Sequence, residues 1–326
     1  MPKIQTVCGP IDSAELGSTL MHEHILVSDL VMRYNFSDWF NADEFIPHAK
    51  MLIGRAKERG VKTIVDATPV DLGRDIDLIR RVAETAEIQI IASTGFYCNE
   101  HRYLADSAPE YLAELMIGEL EHGIRDTGVR PGIIKCASDG ALTPVNKQVL
   151  RAAALASLAT GTPITTHATN GTPLAQALFL LEQGVPAHKI VIGHCGDCND
   201  VPYLEQVLQT GCYIGMDRFG LDQYMPLHER VGTLVQLWKK GYLGQMVLSH
   251  DFSLFIDTPD YAKNIHSAWT IFKNRDWSRQ AFQLTYLADV AFPALKEQGM
   301  TDGDINRMMC GNPRSYFEQA YQTAEE

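Results

Sequence analysis

The sequence predicts an α/β fold, a (β/α)8 barrel, on three observations. Short apolar runs alternate with amphipathic segments of helical period along most of the 326 residues, the pattern of a parallel sheet with helical crossovers. Eight such runs fall within about 250 residues, the length of one closed barrel. Polar residues of a few kinds stand at the C-terminal ends of many different runs, whereas an open doubly wound sheet, the alternative, gathers them at one switch point. One domain over residues 1–326 is expected.

Residues 6–19, rich in Gly, Ser and Asp, read as a small cap before the first strand, 20–24. Residues 25–46 form a long connection with Tyr34, Phe36, Trp39, Phe40 and Phe45; such a loop often shapes the mouth of a barrel pocket, though plain packing is the commoner role of such aromatics. A helix over 49–59 repeats Met51, Leu52 and Ala56 at helical spacing and stops at Gly60. The alternation continues with strand 62–68, helix 75–87, strand 88–94, helix 109–121, strand 131–136 and helix 146–160. It goes on through strand 163–167, helix 172–183, strand 189–194, helix 201–209, strand 212–217, helix 229–240 and strand 245–251. The strands are continuous apolar runs, as strands buried on both faces should be. The segment from 252 to about 274 is too long for a routine connection, and helices at 278–298 and 302–309 close the chain, making a TIM barrel with long loops at its C-terminal face and extra C-terminal helices.

An apolar fraction of 45% and a charged fraction of 21% describe an ordinary globular chain. A net charge of −12 argues against a nucleic-acid partner. Seven cysteines behind an opening without a signal-peptide pattern point to free thiols and a cytoplasmic setting. No apolar stretch nears the ~20 residues that cross a bilayer.

His22 and His24 flank one residue at the end of the first strand, so alternation points both the same way and lets them share an ion; helical metal pairs sit three or four apart. Lys135, His167, His194 and Asp251 end later runs, and a barrel brings all strand ends to one face. A lone strand-end histidine reads as a hydrogen-bonded core residue. Four of them with an aspartate and a lysine do not, because buried charges need partners or a metal. Imidazole and carboxylate ligands suit zinc or a similar first-row ion, and six are too many for one open site but suit two ions. Lys135 fits as a carbamate formed with carbon dioxide, or as an ordinary lysine paired with Asp139; its spacing leaves both open. Cys195 and Cys198 have C-x-x-C spacing without a second pair, and neither redox nor zinc chemistry is assigned to them. His250 and Glu23 should face away from the cluster. His48, His101, His122, His188, His228 and His266 lie off the strand-end pattern.

Thr6-x-x-Gly9 with Leu16-Gly17-x-Thr19-Leu20-x-His22-Glu23-His24 resembles the opening motif of the phosphotriesterase family of the amidohydrolase superfamily. Gly132-Ile133-Ile134-Lys135-Cys136-Ala137, Thr166-His167, Ile192-Gly193-His194-Cys195-Gly196-Asp197 and Leu248-Ser249-His250-Asp251 are similar to its later motifs. The resemblance spans essentially the whole chain. It implies two divalent metal ions (Zn, Co, Fe or Mn): His22, His24 and Asp251 on one, His167 and His194 on the other, with carboxylated Lys135 and a hydroxide bridging them. Gly95-Phe96-Tyr97 and Asp217-Arg218-Phe219-Gly220-Leu221-Asp222 resemble the phosphotriesterase-like lactonases in particular, while residues 252–277 depart from them. The implied activity is hydrolysis of acyl-homoserine or other γ/δ-lactones, hence quorum quenching, with promiscuous phosphotriesterase activity. Asp251, Tyr97 and Arg218 are the catalytic candidates, and Tyr97, Arg218, Phe252 and Trp269 the substrate-binding ones. A homodimer is implied by the resemblance alone. A carboxylesterase or N-acyl amide hydrolase using the same site, or a non-catalytic metal-binding barrel, are the alternatives.

Overall fold

The chain opens as an antiparallel hairpin, β1 (Lys3–Thr6) and β2 (Gly9–Asp12), which overlaps the small cap expected over residues 6–19. The protein is described by a computed structural model covering residues 2–169, 171–257 and 283–322. Eight parallel strands then follow in chain order around one sheet: β3 (Ser18–Glu23), β4 (Val61–Asp66), β5 (Gln89–Gly95), β6 (Ile133–Asp139), β7 (Ile164–Thr169), β8 (Ile190–Ile192), β9 (Tyr213–Met216) and β10 (Met246–Leu248). The last strand's extension meets the first. Asp251 N–H donates to the His22 carbonyl at 3.0 Å, and His24 N–H donates to the Phe252 carbonyl at 2.9 Å. This is the predicted (β/α)8 barrel, and closing it removes the sheet edges.

Helices α1 (Leu30–Asn35) and α2 (Ala42–Glu58) occupy the first connection. The second begins earlier than its periodicity indicates. Pro47 argues locally against a helix there, but Asn41 caps the start by accepting from Asp43 N–H and Glu44 N–H, and Phe45 and Ile46 are buried. The remaining connections are α3 (Ile76–Ala86), α4 (Arg102–Ala105), α5 (Pro109–His122), α6 (Pro144–Thr160), α7 (Pro173–Glu182), α8 (Val201–Gln209) and α9 (Leu227–Lys239). Among the described residues no helix is long and apolar enough to cross a membrane.

The core has two parts. One lies between sheet and helices. The other joins Met21, Val65, Ile91, Ile133, Val191, Tyr213 and Val247, from seven different strands, with Tyr316 and Phe317, and fills the barrel interior. The Tyr316 hydroxyl donates to the Ile164 carbonyl at 2.6 Å. Tyr316 belongs to a final helix, Asn312–Gln322, where the sequence suggested that Gly311-Asn312-Pro313 ends the helical region. Pro313 falls in the first turn, where its missing N–H costs nothing. The Asn312 side chain donates to the Leu243 and Met246 carbonyls at 2.7 Å each, so this segment starts a helix and docks it.

Candidate metal centre

The strand carrying His22 is bulged. Between Leu20 and Glu23, β3 advances three residues while β4 advances two, from Ile64 to Asp66. Met21 joins the interior core, and His22 follows it inward. His24 lies past the strand in a bridge to Ser253. The two rings do converge, with centroids 5.5 Å apart, but through a bulge and a strand end rather than by plain alternation.

All six expected ligands meet. His22 Nε2 is 2.7 Å from Lys135 Nζ and 3.7 Å from Asp251 Oδ1, and His24 Nε2 is 3.2 Å from the same oxygen. His194 Nε2 faces His167 Nδ1 at 2.7 Å. Among the described residues two trios that share His22 could hold an ion, the donor atoms of each lying within 4.8 Å of one another: His22, His24 and Asp251, and His22, His194 and Asp217. Lys135 is fully buried and does not pair with Asp139, which is exposed.

The electrostatics suit ligation. Burial, with Lys135 nearby, holds His22 well below the usual imidazole range; burial and His194 do the same to His167. Both rings are therefore neutral, the form that binds metals. Burial lowers the Lys135 amine to about 8. Burial alone would raise the Asp251 carboxyl, yet His194 and Arg218 hold it well below the usual range. Four imidazoles and a carboxylate aim nitrogen and oxygen lone pairs at shared space, and this donor set fits divalent first-row ions.

Outer partners orient these donors. Asp217 accepts from His194 N–H at 3.0 Å and bonds its Nδ1 at 3.0 Å, turning Nε2 toward His167. Thr68 Oγ1 sits 2.8 Å from His24 Nδ1, and Thr68 N–H is itself held by Asp66. Arg218 donates to Asp251 at 2.8 Å and to Asp197 at 2.7 Å, and Arg230 donates to Asp197 at 3.1 Å. Glu23 does point away from the metal donors. It accepts from Ser249 Oγ, from His250 N–H and ring Nδ1, and from Phe252 N–H, at 2.7–2.9 Å. With Nδ1 donating, His250 Nε2 accepts from Leu287 N–H at 3.2 Å, which fixes its tautomer.

Gly193 carries no side chain because a Cβ there would lie 2.1 Å from the Thr166 carbonyl oxygen. His194, Arg218 and Asp251 adopt left-handed backbone conformations, with φ of 59°, 62° and 56°. Non-glycine residues rarely do so, and such strain gathers at functional sites.

Tyr97, half-buried, brings its hydroxyl 3.2 Å from His167 Nδ1. Phe252 is 7% exposed and belongs to the sheet–helix core, so little of its ring faces solvent. Trp269 lies outside the described residues, as does most of the 252–277 segment. The roles of Asp217, Asp66 and Thr68 were not singled out from sequence; each stands at or just past a strand end, the position that marks the ligands. Cys195 and Cys198 are free thiols, like the other five cysteines.

A closed (β/α)8 barrel with a histidine–carboxylate cluster at its strand ends defines a metal-dependent hydrolase. Its particular kind follows from comparison with known proteins. The chain belongs to the phosphotriesterase family, whose profile matches residues 2–317. It is 38% identical to the phosphotriesterase homology protein of Mycobacterium tuberculosis, over 98% of both chains. It is 34% identical to the aryldialkylphosphatase of Saccharolobus solfataricus, over 94% of this chain and 96% of that one. A solved structure of the phosphotriesterase from Mycobacterium tuberculosis superposes with a TM-score of 0.86 at 38% identity, covering 97% of this chain and 98% of that one.

Proposed function

We propose that this protein is a binuclear metal-dependent lactonase with promiscuous phosphotriesterase activity. The observation that carries the reading is the Tyr97 hydroxyl beside His167, in the neighbourhood of the Arg218–Asp251 pair, at the rim of the donor cluster. His22, His24 and Asp251 would hold one ion and His167 and His194 the other, with Lys135, as a carbamate, between them. Bound there, the ions activate a water and polarise the carbonyl. A lowered amine pKa favours the carbamate, because only the neutral amine attacks carbon dioxide: the nitrogen bonds to the carbon and releases one proton.

The chain's own groups do the rest. Asp251 is ionised and aimed at the cluster, so it accepts the proton of the attacking water and returns it to the leaving alkoxide, a role worth roughly 10²–10⁴-fold. Arg218 keeps Asp251 ionised and oriented. Tyr97 donates a hydrogen bond to the lactone ring. We also propose a homodimer in the cytoplasm. Leu30, Val31, Tyr34 and Phe36 supply exposed apolar area, Tyr34 at 91%, and sedimentation of wild type against Tyr34→Glu tests it.

The decisive experiment measures metal stoichiometry together with hydrolysis of a long-chain acyl-homoserine lactone, an alkyl γ-lactone, an aryl ester, an N-acyl amide and an aryl phosphotriester. Two ions per chain with lactones fastest is the expected result. Inert lactones with a fast ester or amide would move the substrate while keeping the site. Less than one tightly held ion, with no activity on adding metal, would overturn the reading.

A further inference from the structure

We propose that Asp71 is a positioning residue for Tyr97, reaching from the loop after β4 to hold the main chain that presents the phenol. The inference rests on the role given to Tyr97 above. Asp71 stands in a single helical turn, Val70–Leu72, and its Oδ1 accepts from Tyr97 N–H at 2.7 Å.

The same short stretch is held from its other side. Phe96 N–H donates to the Lys135 carbonyl at 3.1 Å. Gly95, at φ 110°, passes so close that a Cβ would lie 1.9 Å from that carbonyl oxygen. Residues 95–97 are thus fixed between Lys135 in the cluster and Asp71 at its rim. The phenol leaves this anchored backbone to meet the His167 ring edge-on, with centroids 4.8 Å apart.

Asp71 is costly to keep. Its Oδ2 is enclosed and has no hydrogen-bond partner among the described residues, and burial pushes its carboxyl up to about 6. A buried carboxylate with a bare oxygen destabilises a fold, and such costs are tolerated where they serve a site. Asparagine would supply the same carbonyl acceptor without the charge, and alanine would supply none.

The test uses metal-loaded wild type, Asp71→Ala, Asp71→Asn, Tyr97→Phe and the Asp71→Ala/Tyr97→Phe double variant. It reads kcat and KM on an alkyl γ-lactone, bound metal and thermal midpoint. Asp71→Ala should lower kcat by about three- to tenfold, the worth of one hydrogen bond, with metal content unchanged. Asp71→Asn should restore the wild-type kcat, and the double variant should be no slower than Tyr97→Phe. If Asp71→Ala does not fold, Asp71→Ser, too short to reach the Tyr97 N–H, takes its place. A wild-type rate in the alanine or serine variant, or losses that multiply in the double variant, would overturn the proposal and leave the lactonase reading intact. A silent Tyr97→Phe would instead remove the role of Tyr97 and this inference with it.

Discussion

At the base of the site one buried carboxylate, Glu23, accepts four hydrogen bonds, while at the mouth a half-buried one, Asp71, holds the Tyr97 N–H and its second oxygen has no partner among the described residues. The difference separates two tasks. The base joins the first strand to the end of the last, and the donors His22, His24 and Asp251 sit among the groups it ties down. Any looseness there would be felt by the barrel as well as by the ligands. The mouth rests on loops and sets how a phenol meets whatever enters. A fully bonded base fixes the chemistry, and a sparsely bonded mouth leaves substrate choice adjustable.

The contrast breaks most completely at Lys135. Lys135→Ala should abolish activity and reduce bound metal together, by elemental analysis and assay, with partial rescue by small carboxylates; full activity would refute a carbamate bridge. Next comes the clamp. Glu23→Gln can no longer accept from all of its donors, and chemical denaturation should show a loss of about 2–4 kcal/mol. Arg218→Gln tests how the base stays charged. Asp251 lies below its ordinary range partly because of Arg218, so the variant's Asp251 should take up its proton at higher pH. Its activity should fall off earlier on acidification, and kcat should drop by roughly 10²-fold.

The smallest effect sharpens the comparison by running the other way. Folded Asp71 titrates near 6 against about 3.9 unfolded. The folded state therefore holds the proton longer, stability declines as pH rises from about 4 to 6, and the penalty is complete above that. Asp71→Asn should stabilise the protein at pH 7.5, by at most about 3 kcal/mol, and give no gain at pH 4. An equal gain at both pH values would show that the charge is not its source.

The barrel was legible because eight apolar runs and their glycine stops are local signals, and the six donors because a barrel forces strand ends together. Geometry that depends on exceptions was not. The bulge before Glu23 places His22 by a break in the alternation that the sequence argument relied on. Asp217 reads like any acid after a strand until His194 is seen to chelate it through both N–H and ring. Pro47 and Pro313 each look like a stop, and neither is: Pro313 falls in a first turn, where its missing N–H has no helical partner to lose, and Pro47 sits inside a helix that Asn41 caps and that buries Phe45 and Ile46. Tyr97 was visible as a rim residue, but its anchor on Asp71 spans two loops that share no sequence pattern.

His194, Arg218 and Asp251 hold a backbone shape that glycine would adopt more readily. Were selection on catalysis relaxed, these would be among the positions where drift could gain conformational ease by discarding chemistry. A descendant that kept the barrel and lost its task should therefore betray itself first at these three bends, with the helices and the packed interior still intact.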